Sequence, residues 1–287
     1  DALIIAMKAL NIGQHDQVIT CPNTFVATVG AIDEVGATPV FVDAGPDYLL
    51  DINQCVTKIN NHTKAIIPVD LTGRPAVHDW RTFFHFGGPP PYIIRDACQS
   101  IGASYNGAPS VKLSDIAAYS LHPLKNVHGC GDGGMIVTDR DDWNEWIRLY
   151  RNHGLKDRDT VVMPGINSRL DTLQAIAAWH ILQEEHLITG IRNVNAAQYR
   201  HGLRDIEQIT LPPLDPPGTD VKQAYHTFVI LAEYRDQLKA WLQAKGVQSA
   251  IHYPVPVHLQ PGYAFLGYHR GDFPNVEYQA DHMLTLP

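Results

Sequence analysis

The sequence predicts an α/β fold built on a mostly parallel sheet, and three observations predict it. Short, fully apolar runs of strand length alternate with helical patterns through the first 140 residues. Strands buried on both faces between crossover helices read this way. Polar and titratable residues fall at or near the carboxyl ends of these runs: the Thr20-Cys21-Pro22 turn, Asp43, Asp70, Asp96 and Lys125. Open α/β sheets bind ligands at that edge. From Asp141 onward the alternation is lost and the composition becomes helical.

Taken in order, Leu3, Ile4, Met7 and Leu10 recur at helical spacing, and Asn11-Ile12-Gly13 closes that helix. Residues 17–20 form a short strand. A turn at Cys21-Pro22-Asn23 leads into a helix over 24–35, its apolar face at Val26, Val29, Ile32 and Val35, ended by Gly36. Strands follow at 38–42, 64–69 and 92–96, with a helix over 53–59 after the first and a Gly- and Pro-rich linker at 87–91 before the last. The apolar run 116–121 ends at Pro123 and reads as a strand. A glycine-rich turn and a second short strand at 135–138 come next. A surface helix covers 143–150, a long amphipathic helix covers 169–188, and the run to 204 is helical too. A Pro-rich connector (210–219) precedes strands at 225–231 and 248–251, with a helix at 237–245 between them. The domain boundary is placed near residue 190, giving a large domain over 1–190 and a smaller one over 191–287.

Composition narrows the function classes. The chain has 287 residues, 45% hydrophobic and 18% charged, with a formal net charge of −8. That fits a soluble globular protein and argues against nucleic acid as a partner, since no dense basic run exists. No apolar run reaches membrane-spanning length. The four cysteines, Cys21, Cys55, Cys98 and Cys130, are widely spaced without a C-x-x-C pair, which predicts neither structural zinc nor a disulfide framework and favours a reducing cytoplasm. The 15 histidines suggest no metal site, because no H-x-x-x-H pair has a carboxylate beside it and Pro254 and Pro256 preclude a helix around His252 and His258. Residues 1–10 already read as the body of a helix, so the start of the large domain and the end of the small one are expected to lie outside this chain.

The chemistry concentrates in residues 114–134, SDIAAYSLHPLKNVHGCGDGG. One lysine, Lys125, stands just past a strand end and before Gly129, Gly131, Gly133 and Gly134. Burial can depress an amine's pKa, and the neutral amine is the nucleophile that forms a Schiff base. Alone, Lys125 reads as a surface lysine in a hairpin loop, since lysine is mostly exposed, and only the residues around it overturn that reading. Asp96, at the preceding strand end, opens DACQS. A carboxylate and a Schiff-base lysine at neighbouring strand ends suit pyridoxal phosphate, the carboxylate keeping the pyridine nitrogen protonated. Alone, Asp96 reads as a helix N-cap with Gln99 as its capping-box partner.

The order VITCPNTFVAT, GATPVFVD, AIIPVDLTG, IIRDACQSIGASYNG, DIAAYSLHPLKNVHGCGDGGMIVT, RNHG, GINSRLDTLQAIAA and HYPVPVHLQPGY resembles the DegT/DnrJ/EryC1/StrS family across essentially the whole chain. These are sugar aminotransferases of the fold-type I, aspartate-aminotransferase-like class. The resemblance implies a three-layer large domain, a smaller α+β domain and pyridoxal 5′-phosphate as cofactor. It also implies a homodimer with shared active sites, L-glutamate as amino donor and a nucleotide-linked keto-deoxysugar as acceptor. Lys125 resembles the Schiff-base lysine, Asp96 the partner of the pyridine nitrogen and Gln99 the residue near the ring hydroxyl. Phe25 stands where the family stacks an aromatic ring, with core packing as its alternative. Ser120 resembles a phosphate ligand, and Asn167 the residue that reaches the neighbouring subunit's phosphate. Asp1 and Ala2 are the remnant of the family's phosphate-binding Gly-Thr or Gly-Ser-Asp-Ala turn. His122, His252, Tyr253 and His258 are candidates for substrate contact, with bonding inside a Pro-rich loop as the alternative for the histidines in 252–258. Some relatives carry histidine in place of the lysine and dehydrate a deoxysugar, so Lys125 implies transamination. A keto-cyclitol acceptor, or a regulatory protein that binds cofactor or nucleotide sugar without turnover, are the alternatives.

Overall fold

The computed structural model describes residues 1–76, 89–215 and 218–287. Residues 87 and 88 of the expected linker, and 216 and 217 of the Pro-rich connector, lie outside the described residues.

The chain opens with helix α1 (Ala2–Ala9) and alternates β1 (Gln17–Thr20), α2 (Val26–Glu34), β2 (Thr38–Phe41), α3 (Ile52–Lys58), β3 (Thr63–Ile66) and β4 (Tyr92–Asp96). Two short strands, β5 (Ser104–Tyr105) and β6 (Ala108–Pro109), form a hairpin before β7 (Ile116–Ser120) and β8 (Gly134–Thr138). The main sheet has the order β2-β1-β3-β4-β7-β8. Pairs from β2 through β7 are parallel, and the edge strand β8 runs antiparallel to β7. The expected parallel sheet is therefore present.

Alternate residues of each strand feed opposite faces, as a pleated strand requires. Val18, Ala65, Ile67 and Ile94 pack with Leu3, Ala6 and Met7 of α1 and with Ile147. Ile19, Ile66, Ile93 and Phe41 pack the other way, against Val29, Val257, Phe273 and Val276. Both faces are thus dry, which explains the apolar strands. β1 and β4 have the bounds the sequence predicts.

The second half is helical: α4 (Asp141–Tyr150), α5 (Thr172–Gln183) and α6 (Glu185–Leu203). The run 169–188, expected as one helix, breaks at Glu184, whose φ of −98° and ψ of 7° leave the helical region. Helix α6 carries the chain across residue 190 without interruption. After β9 (Ile209–Thr210) and β10 (Val221–Lys222) come β11 (Phe228–Ala232), α7 (Arg235–Ala244), α8 (Pro274–His282) and β12 (Met283–Leu286). A three-stranded antiparallel sheet has the order β12-β11-β9. The strand expected at 248–251 is reduced to one bridge, Ala250 to Thr285. β11 already has a neighbour on each side, so Ala250 meets only the outer edge of β12.

The three strand-end acids serve different purposes. Asp43 accepts from the backbone of Asn275 and Val276 at 2.9 Å each and caps α8. Asp70 is fully buried against Arg95, 2.7 Å away, and also accepts from Ser100 Oγ and Ala76 N. Asp96 belongs to the candidate site.

Candidate active site

Lys125 lies in the connection between β7 and β8. Leu121 N donates to Gly133 O and Gly129 N to Leu121 O, which pinch this loop at its base. Lys125 N donates to His122 O at 2.9 Å, and the next side chain, Asn126, donates through Nδ2 to Ala224 O. The glycines permit close packing of other elements rather than looseness. A Cβ on Gly129 would stand 2.7 Å from Oε1 of Gln174 on α5, and one on Gly134 would meet Tyr119 O and Ala2 Cβ at 3.1 and 3.3 Å. Burial lowers the pKa of the Lys125 amine from its ordinary value, and Cys98 and Asp96 pull the other way. The lysine is therefore no exposed hairpin residue.

Asp96 ends β4 and is buried. Its Oδ1 accepts from Cys98 N at 3.1 Å and its Oδ2 from Thr28 Oγ1 at 2.7 Å. The Cys98 thiol is held protonated by burial and by Asp96, and it also contacts Ala118 O. It is a packed group rather than a reactive one.

Gln99 is oriented by the turn after β3. Thr72 has φ 65°, a left-handed conformation uncommon for a β-branched residue. It aims its N–H at Gln99 Oε1, 2.8 Å away. The Gln99 amide nitrogen is thereby left as a donor. Gly73 must be glycine: a Cβ there would lie 2.8 Å from Tyr225 N and His226 N and 2.9 Å from Gln99 O. Burial, with the charge of Asp96 next, pushes the Tyr253 phenol up to about 12, and the neighbouring Gln99 side chain opposes that rise. The Phe25 ring packs on Tyr253 with centroids 5.5 Å apart, yet Phe25 remains 51% exposed. It is therefore not a core residue. His252 is lowered by burial and by the Lys125 charge, and its ring bonds Thr285 Oγ1.

Asp1, Ala2, Ser120, His122 and Asn167 line one cleft of about 1030 Å³, together with Cys98. Asp1 is anchored by Ser168 Oγ at 2.6 Å. Asn167 is exposed and accepts from Arg169 Nε. The residues expected around a phosphate thus share a cavity, and Cys98 joins it to Asp96. His258 stands apart from all of these. Its side chain has no exposure; it bonds Glu277 at 3.1 Å and packs edge-on against Phe273. The expected substrate contact is corrected for His258, since a ring so enclosed pins the 252–260 loop to α8.

Sequence reasoning passed over Thr24, Thr28, Thr72 and His226. The His226 ring is largely enclosed, and burial first, then the charges of Lys125, Arg192 and His252, lower its pKa to about 3. The i, i+4 spacing of Thr24 and Thr28 was visible, but Asp96 is 68 residues away.

The whole chain, residues 1–287, matches the model of the DegT/DnrJ/EryC1/StrS aminotransferase family. The chain belongs to that family. It is similar to the dTDP-3-amino-3,4,6-trideoxy-alpha-D-glucose transaminase of Streptomyces venezuelae, 37% identical over 289 residues, covering 100% of this chain and 75% of the relative. A relative named pleiotropic regulatory protein, from Geobacillus stearothermophilus, is 38% identical over 290 residues, covering 100% and 77%. Among solved structures, S. venezuelae DesV in complex with a ketimine intermediate superposes with a TM-score of 0.94 at 37% identity, covering 100% of this chain and 76% of that one. This family member is an aminotransferase, and its cofactor is pyridoxal phosphate. The residues present fit that group: a half-buried amine, a buried carboxylate with two donors behind it, an exposed aromatic face, and buried Asn126 Oδ1 and His226 Nδ1 with no protein partner among the described residues.

Proposed function

We propose that this chain moves an amino group from L-glutamate to a keto group on a nucleotide-linked deoxysugar, working as a cytoplasmic homodimer. The observation that carries the reading is Lys125, a half-buried amine with a lowered pKa held within the field of the buried Asp96, in a chain similar to a dTDP-aminosugar transaminase.

Pyridoxal phosphate, when bound, supplies an aldehyde for an amine to condense with and a ring that takes up electrons. Lys125 Nζ would hold the aldehyde and, when freed again, would take and return a proton as general base and acid. Asp96 would hold the proton on the ring nitrogen, and Gln99 would offer its amide nitrogen to the ring hydroxyl. Phe25, packed on Tyr253, would supply the aromatic contact to the ring. Ser120 and the backbone at Asp1 and Ala2 would bind the phosphate, and Asn167 would reach the phosphate of the neighbouring subunit. His122, His252 and the Tyr253 hydroxyl would contact the acceptor.

A second copy is supported by a run of exposed apolar side chains: Leu173, Ile176 and Trp179 on α5, and Leu187, Ile191 and Val194 on α6. Patches of this kind mark protein contacts. The decisive experiment is the visible absorbance of the purified protein with pyridoxal phosphate, before and after L-glutamate. A band that bleaches on adding glutamate supports the reading, and dTDP- and UDP-linked keto sugars and keto-cyclitols then separate the acceptors. A band that persists through a single-turnover test favours the second reading, a regulatory protein, which the name of the Geobacillus relative supports.

A further inference from the structure

The first turn of α2 reaches Asp96 from behind. Thr28 is 1% exposed, Thr24 2% and Asp96 5%. Thr28 Oγ1 lies 2.7 Å from Asp96 Oδ2, and Thr24 Oγ1 lies 2.7 Å from Thr28 Oγ1. A charged carboxylate only accepts hydrogen bonds, and a hydroxyl carries one proton. Thr28 therefore donates to Asp96, and Thr24 donates to Thr28. The two bonds form a short relay ending on the carboxylate, with Cys98 N holding its other oxygen at 3.1 Å. Phe25 belongs to the same turn, so a single segment supplies both the aromatic wall and the donor behind the acid.

We propose that Thr28, oriented by Thr24, is a positioning residue for Asp96, fixing the rotation of the carboxylate and supplying the donor that its charged form needs. This rests on the reading of Asp96 as the partner of the cofactor's ring nitrogen. In dry surroundings a lost donor is not replaced by water. The carboxylate would then turn, or draw the ring proton toward itself. Either change would leave the ring less positive and less able to withdraw electrons from Lys125 Nζ once that nitrogen is joined to the aldehyde carbon. The pH midpoint of the visible cofactor band then moves up.

The test compares T28V, T28S, T24V and D96N in the full chain with pyridoxal phosphate. Valine keeps the shape and χ1 stiffness of threonine without its hydroxyl. Expected for T28V are cofactor affinity weakened about ten-fold or more and a band midpoint raised by about half a pH unit or more. T28S, which restores the hydroxyl, returns both toward the parent, and T24V shifts the midpoint in the same direction by less. A T28V protein with parental affinity and midpoint overturns the proposal. So does a T28S protein that shifts as far as T28V, since that would reflect packing alone. Should T28V fail to fold, an unshifted midpoint in T24V overturns it instead. An unshifted midpoint in D96N would sink the reading of Asp96 itself, a separate failure.

Discussion

An amine attacks a carbonyl only after shedding its proton, so the burial of Lys125 bears directly on its chemistry. Its lowered pKa means that capture of pyridoxal phosphate should speed up with rising pH and level off below the ordinary lysine range, a profile stopped-flow absorbance would trace. Arginine keeps the charge at this position but cannot form the covalent link. Lys125→Arg should lose the visible band and lower turnover about a hundred- to ten-thousand-fold; a variant that kept the band would remove Lys125 from its role. His226 gives a second expectation. Its ordinary value is 6.5 and its folded value about 3, so between these limits the unfolded chain binds the extra proton. The stability that a neutral His226 contributes is fully present above pH 6.5 and is lost as the pH falls from there toward 3. Urea melts at pH 7, 5.5 and 4.5 should show a steeper decline in the parent than in His226→Gln. Parallel declines would mean that His226 is free to protonate in the folded state.

At the scale of elements, the sheet's carboxyl edge is held by charge as well as by apolar packing. The Asp70–Arg95 pair joins the segment after β3 to β4 with both side chains at zero exposure, and Asp70 N donates to Asp96 O across the same edge. A buried pair adds little over an apolar replacement, but breaking it strands a charge. Asp70→Ala should cost about 3–5 kcal/mol in chemical denaturation, whereas a loss near 0.5 kcal/mol would show that Arg95 finds water. The apolar strand runs, with turn residues around them, made β1 and β4 legible to the residue, because a strand buried on both faces has little compositional choice. The break at Glu184 was not legible, because Gln183-Glu184-Glu185 holds neither glycine nor proline to mark it. The site divided along the same line. Lys125, Asp96 and Gln99 stood out through local motifs. Thr28 and Thr72 acquire meaning only when the sheet brings them to Asp96 and Gln99, and His258 reads like a site residue until its burial against Glu277 and Phe273 is seen.

The molecule as a whole presents a contrast between a well-buried sheet and two helices whose outward faces are apolar. Trp179 is 66% exposed and Leu173 80%. Residues 187, 191 and 194 repeat at the i, i+4, i+7 spacing of one helical face. Asn167, in the loop just before α5, is exposed with its side chain held by Arg169, so a copy covering α5 would bring this loop against its neighbour. The oligomer and the cofactor site are then one problem. Ile176→Asp with Trp179→Glu places two charges on that face, far from Lys125 in the sequence and outside the residues assigned to the cofactor. Light scattering should find the parent as a dimer and the double variant as a monomer at micromolar concentration. If Asn167 has the proposed role at the neighbouring copy's phosphate, the monomer should also hold pyridoxal phosphate more weakly. A monomer with parental cofactor affinity would show that each chain completes its own site, and an unchanged dimer would place the interface elsewhere.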